Sequence, residues 1–251
     1  MKWAIEIQKT SLEHRNLADL LKGLRFDLIQ GIEYPALSSP TIDDCATAAD
    51  AFKIAKNVRA AFKSSAIDPE FALGSVIDYA TTPPHRHAFL EVDSCVIRII
   101  TGTATITISP PQGLSPDELV KWHEEHNERQ YQAELERQRA LFEPAFLDPN
   151  AARAIKLLCI ENPSGETLYK IYELAEGYPS NRKEFHAEFG IDKEQFDRFK
   201  DAVHNPAVTG DWARHAYHQK PNSTDPMTRA EAEQFVRRIA GRWLQSIRRS
   251  R

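Results

Sequence analysis

Apolar positions along the chain change their period several times, and each change marks an element. Trp3, Ile5 and Ile7 recur at every second residue, as on a half-buried strand. From Ser11 the period lengthens, and Leu17, Leu20, Leu21 and Leu24 share one face of a helix whose start Ser11 is placed to cap. The apolar run from Phe26 to Tyr34 predicts a short element ended by Pro35, and Ala48, Phe52, Ala55 and Phe62 line an Ala-rich helix over residues 43–62. Strands are expected at 71–79, 88–92 and 95–109. Asp93-Ser94 makes a two-residue hairpin turn between the last two, and Gly102 marks a bulge or bend in the longer arm.

The order β-α-β-α-β-β-β predicts an α+β domain over residues 1–111, a mixed sheet with two helices. Residues 112–148 read as a charged linker helix. Ser115 caps it, Pro116 takes the first helical position and Glu118 completes a capping box. Its apolar stripe is thin (Leu119, Trp122, Leu135, Phe142), which suits a helix that bridges domains or lies across a surface, and Pro144 and Pro149 are expected to end it. Residues 149–251 read as an all-α bundle. Helices are predicted over 151–158 and 167–175, and from the Asp192 cap through Phe196, Phe199 and Val203. The closing helix has a Thr228/Glu231 capping box and an apolar face of Ala232, Phe235, Ile239, Trp243 and Ile247.

Composition adds limits to this outline. Hydrophobic residues at 41% and charged residues at 27% belong to a folded chain. A net charge of −4 excludes a whole-protein grip on nucleic acid, and leaves Arg237, Arg238, Arg242, Arg248 and Arg249 as a local RNA-binding candidate. Cys45, Cys95 and Cys159 form no CxxC pair, which fits a reducing compartment and gives no thiolate zinc site. The opening MKWAIEIQKT has no signal-peptide core, and no window nears the roughly eighteen apolar residues of a membrane span. A soluble, cytoplasmic protein with no membrane association is the expectation.

The familiar catalytic signatures GxSxG, GxxxxGK[ST] and GxGxxG are missing, so no cofactor is expected. His85-Arg86-His87 could turn both imidazoles to one side, but two ligands do not make a metal site, and a solvated loop pair is the preferred reading. His123-Glu124-Glu125-His126 misses the HExxH spacing and reads as a helix surface. The richest segment runs from His204 to His218. If its end is helical, Arg214 and His218 share a face, an arginine fork beside a histidine base suited to holding and cleaving a phosphodiester. The competing reading has Arg and His beside Asp211 tying the loop to the bundle.

LYKIYELAEG at 168–177, the Asp192–His204 helix, ARHA at 213–216 and a closing amphipathic helix with RWL together resemble HEPN-type helical domains over roughly residues 150–247. These are small four-helix bundles common in bacterial defence and toxin systems. The resemblance implies a metal-independent endoribonuclease acting as a dimer, through an Arg and a His four to six residues apart. Non-catalytic members bind or dimerise. Arg214 and His218 have three residues between them and so depart from the pattern, whereas Arg198 and His204 have five. Three functions follow. The preferred one is a non-enzymatic adaptor or sensor in a defence-type setting, with a protein partner or self-association. The alternative is a ribonuclease or RNA-binding protein using Arg214 and His218, with Glu173 as a polar helper. A metal enzyme built on His85 and His87 ranks last.

Overall fold

The computed structural model describes residues 1–89, 115–177, 181–217 and 221–250. Most of the hairpin expected over 88–109, with Cys95 and Gly102, lies outside these residues, as does His218.

The fold is α+β. Among the described residues, strand β1 (Trp3–Lys9) is central in a five-stranded sheet with β2 (Asp27–Gln30), β3 (Pro35–Ser38), β4 (Ala72–Asp78) and β5 (His85–His87), ordered β2-β3-β1-β4-β5. Every pair is antiparallel, so the described sheet is not the mixed one expected. The run from Phe26 to Tyr34 holds β2 and the turn that leads into β3. It turns at residues 31–34, where Gly31 N–H donates to the Tyr34 carbonyl (3.0 Å), and Pro35 opens β3 instead of ending β2. Proline is tolerated as the first residue of a strand, where its missing donor costs the ladder least.

Helix α1 (His14–Gly23) buries Leu17, Leu20 and Leu21 against the sheet core. Ser11 does not cap it. Its hydroxyl and that of Thr10 donate instead to the fully buried Asp68 (3.0 and 2.6 Å), tying the end of β1 to the turn before β4. The helix expected over 43–62 starts later and runs farther, as α3 (Ala48–Ser65), capped by Thr47, and the single turn α2 (Pro40–Asp43), capped by Ser39, precedes it.

Helix α4 (Pro116–Leu147) has the predicted Ser115/Glu118 capping box, but it continues through Pro144 rather than stopping there. A proline near the end of a helix removes one bond, and Pro144 is buried. Asp148 ends α4 with its N–H on the Pro144 carbonyl (2.9 Å), and its carboxylate caps α5 (Pro149–Leu158). The first half of α4 is mostly exposed. Its second half joins the molecule: Phe142 stacks on Phe62 (4.2 Å), which stacks on Phe71 (4.5 Å). Tyr131 donates to Asp19 (2.6 Å) and Arg15 to Glu128 (2.8 Å). The buried cluster therefore runs unbroken from the sheet, across α4, into the helices that follow.

Those are α6 (Gly165–Glu176), α7 (Arg182–Phe189), α8 (Lys193–His204), the single turn α9 (Pro206–Thr209) with a 3-10 turn at Gly210–Trp212, and α10 (Arg229–Arg249). Helices α5, α6, α8 and α10 match the predicted segments to within a few residues, whereas α7 had no counterpart in the sequence reading. Asn181 caps α7, and Gly190 ends it in the left-handed conformation (φ 64°) that glycine adopts freely. No helix of the described residues is long and apolar enough to cross a membrane.

Candidate functional site

The C-terminus of α8 leaves carbonyls without helical partners, and the loop after it is folded to meet them. Asn205 N–H donates to the Asp201 carbonyl (3.1 Å), the Thr209 hydroxyl to that of Ala202 (2.8 Å), and Arg214 N–H to that of Val203 (2.7 Å). Two further ties fix the loop. Trp212 Nε1 donates to the Pro163 carbonyl (2.8 Å) and Arg229 to that of Thr209 (2.6 Å). Gly165, at the start of α6, allows this crowding: a Cβ there would lie 2.8 Å from the Val203 carbonyl and 3.0 Å from that of Trp212. Chain 213–217 is thereby laid across the ends of α6 and α8. It is not helical, so the shared helix face imagined for Arg214 and His218 does not arise by that route. His218 itself lies outside the described residues.

At this crossing, four side chains meet. His204 closes α8 with its ring buried, edge-on to Tyr169 of α6 (4.2 Å between centroids). The ring of His215 stacks on it at 4.7 Å, and His204 Nδ1 and His215 Nε2 share a hydrogen bond of 2.9 Å. The Arg214 guanidinium lies 5.1 Å from the Tyr169 centroid, in cation–π range. Burial, reinforced by the neighbouring His215, Arg214 and Lys200, holds His204 down to about 4, so its ring is neutral at neutral pH. His204 Nε2 is also buried, with no hydrogen-bond partner among the described residues. Burial pushes the Tyr169 hydroxyl up. Arg214 and His215 remain exposed.

What distinguishes Arg214 is what it leaves open. Among the described residues, no carbonyl or carboxylate accepts from its guanidinium, which is held by the ring beneath it. Glu166, close enough to feel its charge, is already paired with Lys170 (2.7 Å). The corner therefore presents a fixed arginine fork beside a histidine oriented by a second, buried histidine. Chemically, that arrangement can hold an oxyanion and offer or accept a proton next to it.

Compared with family models, with curated proteins and with solved structures, the chain matches none. The site stands on its own geometry.

The other residues singled out in the sequence scatter. Glu173 is exposed on α6, one turn beyond Tyr169, and contributes negative charge near that hydroxyl. Of the five candidate RNA-binding arginines on α10, Arg237 bonds Glu233 (2.8 Å), Arg238 lies over Phe235 (5.6 Å) and Arg242 caps the Phe189 carbonyl (2.7 Å). Arg248 sits between Glu136 and Glu143 of α4, both at 2.8 Å, and Arg249 is exposed beside it. Arg198 pairs with Asp225 (2.9 Å), so the Arg198/His204 spacing joins two residues with different neighbourhoods. His85 and His87 form strand β5 rather than a loop. Their rings meet edge-to-face at 4.6 Å while Arg86 faces the other way, and no group of three metal-binding side chains exists among the described residues. His126 stacks flat on Trp122 (4.7 Å).

Sequence reasoning missed Tyr169 and undervalued His204 and His215. Tyr169 and Tyr172 both fall on the buried face of α6, which reads from sequence as ordinary core. Only the contact across helices reveals one of them as the floor of a site.

Proposed function

We propose that the protein is a non-enzymatic binding protein of the adaptor or sensor kind, and that the Arg214–His215 corner is where it recognises an anionic group on its partner. One observation carries this reading: the guanidinium of Arg214 is fixed in place by Tyr169 and the pinned loop, yet has no acceptor among the described residues. An oriented fork suits a carboxylate or phosphate bidentately, and recognition of such groups is where arginine is over-represented. Binding rather than turnover is favoured because the corner is open to solvent, whereas catalytic electrostatics depend on a water-excluded setting.

The test uses labelled single-stranded RNA and a labelled phosphoserine peptide as probes, read by fluorescence anisotropy. Binding of either one, lost in Arg214→Ala with the fold intact, is the expected result. Binding of neither, or binding unchanged in the variant, overturns the reading.

A ribonuclease is the second reading, favoured by the His204–His215 bond, which orients a base beside the arginine. RNA cleavage in EDTA by the wild type, abolished in His215→Ala, would promote it. Self-association, with an acidic segment of a second copy as the anion, belongs to the first reading and would show as a concentration-dependent mass.

A further inference from the structure

The recognition corner contains two stacked imidazoles that hold one proton between them, and this has a consequence for binding. Resting on the reading of Arg214 and His215 as an anion site, we propose that the His204–His215 pair takes up a proton when the corner binds a tetrahedral oxyanion, so that binding tightens as pH falls.

The geometry supplies the route. His204 Nδ1 and His215 Nε2 are 2.9 Å apart, so one ring donates and the other accepts. A neutral pair carries two protons on four ring nitrogens. One proton bridges the rings and the other sits on an outer nitrogen. The two outer nitrogens differ sharply. His204 Nε2 is sealed from solvent with no acceptor among the described residues, whereas His215 is exposed. With a third proton both outer nitrogens carry one, His204 keeping its own hydrogen on the buried Nε2 and the cation residing on His215, the ring that solvent reaches. Its Nε2–H then donates to His204 Nδ1, which leaves its Nδ1–H as the donor for the anion. His204 is the positioning residue of this arrangement. Buried and neutral, it offers a lone pair to a charged donor, and charge-assisted bonds are the stronger kind.

The surroundings explain why the proton arrives with the anion. Facing the pair from its own segment is Arg214, and from α8 come Lys200 and Asp201. Asp201 is already engaged by Asn222 Nδ2 (2.8 Å) and Ser223 N–H (2.6 Å). From α6 come the neutral phenol of Tyr169, the exposed Glu173, and Lys170 bound to Glu166. The closest free charges are positive, and they oppose a further cation. An oxyanion on Arg214 offsets that field. By linkage, if the anion favours the protonated pair, the protonated pair binds the anion more tightly by the same factor.

Sulfate is the probe, because it keeps its charge across the working range and any pH dependence then belongs to the protein. The full chain is titrated with sodium sulfate at pH 7.5 and 5.5, and the histidine ring signals and the Arg214 side-chain signals are followed by NMR. In the wild type the sulfate Kd is expected to fall roughly fivefold or more at the lower pH, the size of a typical coupling. His215→Gln, an exposed substitution that leaves Arg214 in place, is expected to bind sulfate with little pH dependence. His204→Phe is expected to flatten the profile as well. Equal wild-type affinity at both pH values, or the same slope in His215→Gln, overturns the proton linkage while leaving the anion site standing. No sulfate response at Arg214 or His215 at either pH overturns both.

Discussion

Arg86 and Arg214 make an instructive pair, because both are exposed in part, both neighbour histidines, and the structure uses them in opposite ways. Arg86 of β5 reaches across the sheet to the carboxylate of Glu6, which is 0% exposed at the centre of β1, and donates with its other nitrogen to Glu33 (2.9 Å). The second Glu6 oxygen accepts the Glu33 N–H (3.1 Å). Gly74 makes room for this knot, since a Cβ there would sit 3.1 Å from the Glu6 Cβ. Every strong group in the knot has a partner, so its role is to latch the β5 strand to the sheet. Arg214 is placed more lightly, by a ring and a pinned loop, and its donors have no acceptor among the described residues. A fixed arginine with all its donors used is architecture. One with its donors open is a candidate for recognition.

The sharpest way to break this contrast is to remove Arg86. Arg86→Met leaves Glu6 as a buried charge without a cation, which is among the costlier single changes a fold can suffer. A fall in the thermal midpoint on the order of 10 °C is expected. The double variant Glu6→Leu, Arg86→Met should recover much of that loss, because it removes the stranded charge with its partner. If the single variant melts like the wild type, the knot is not the latch described.

Next in size is the acid response of the corner. His204 is held near 4 in the folded protein and returns to about 6.5 when the chain unfolds. The unfolded chain therefore binds the extra proton first. Stability is full above about pH 6.5 and is lost as pH falls toward 4, by on the order of 3 kcal/mol. His186, bonded to Tyr172 at 2.7 Å and also lowered by burial, adds to the slope over the same side of neutrality. Urea unfolding of His204→Phe against the wild type at pH 7 and pH 4.5 checks this. The two proteins should differ less at one pH than at the other, with the variant gaining relative to the wild type in acid. An identical gap at both values would mean the buried ring does not titrate as described.

These two regions also differ in how much of them could be read from the chain. Helices α8 and α10 were legible because a cap and a 3.6-residue apolar repeat lie within a dozen consecutive residues. The hairpin at 26–38 was not, since the apolar run carries on through the turn and Pro35 looks like a stop when it is a start. Pro144 misled for the same reason: its tolerance depends on burial against other elements, which a local rule does not contain. At the corner, the sequence pointed to Arg214 through its spacing to His218. The residues that give Arg214 its setting, Tyr169 on α6 and His204 on α8, arrive from 45 and 10 positions away along the numbering. Contacts at that range follow from helix packing and from the loop that Gly165 and Trp212 allow. No periodicity encodes them.

A smaller effect separates two neighbours at the end of the closing helix. Arg248, clasped by Glu136 and Glu143, joins α10 to α4, and Arg248→Ala should cost about 1 kcal/mol through lost charge-assisted bonds. Arg249 beside it has no such partner among the described residues. If the basic end of α10 serves RNA, Arg249→Ala should weaken RNA binding with no stability change, and Arg248→Ala should do the reverse. Filter binding and thermal melts on the two variants separate these outcomes.

The smallest expected change in stability belongs to Arg214, and it is the one on which the contrast turns. Its side chain makes a single stabilising contact, with Tyr169, of a kind worth about 0.5–1 kcal/mol at an exposed site. The bond that holds the segment, from its N–H to the Val203 carbonyl, is backbone and survives substitution. Arg214→Ala should therefore shift stability by less than about 1 kcal/mol while abolishing capture of an anionic probe. Arg214→Lys discriminates further: it keeps the charge but loses the planar fork and its fit over the ring, so a site that reads geometry should lose most of its affinity, whereas one that reads only charge should keep it. If Arg214→Ala instead unfolds the protein as Arg86→Met is expected to, the two arginines are alike after all, and the corner is a second latch.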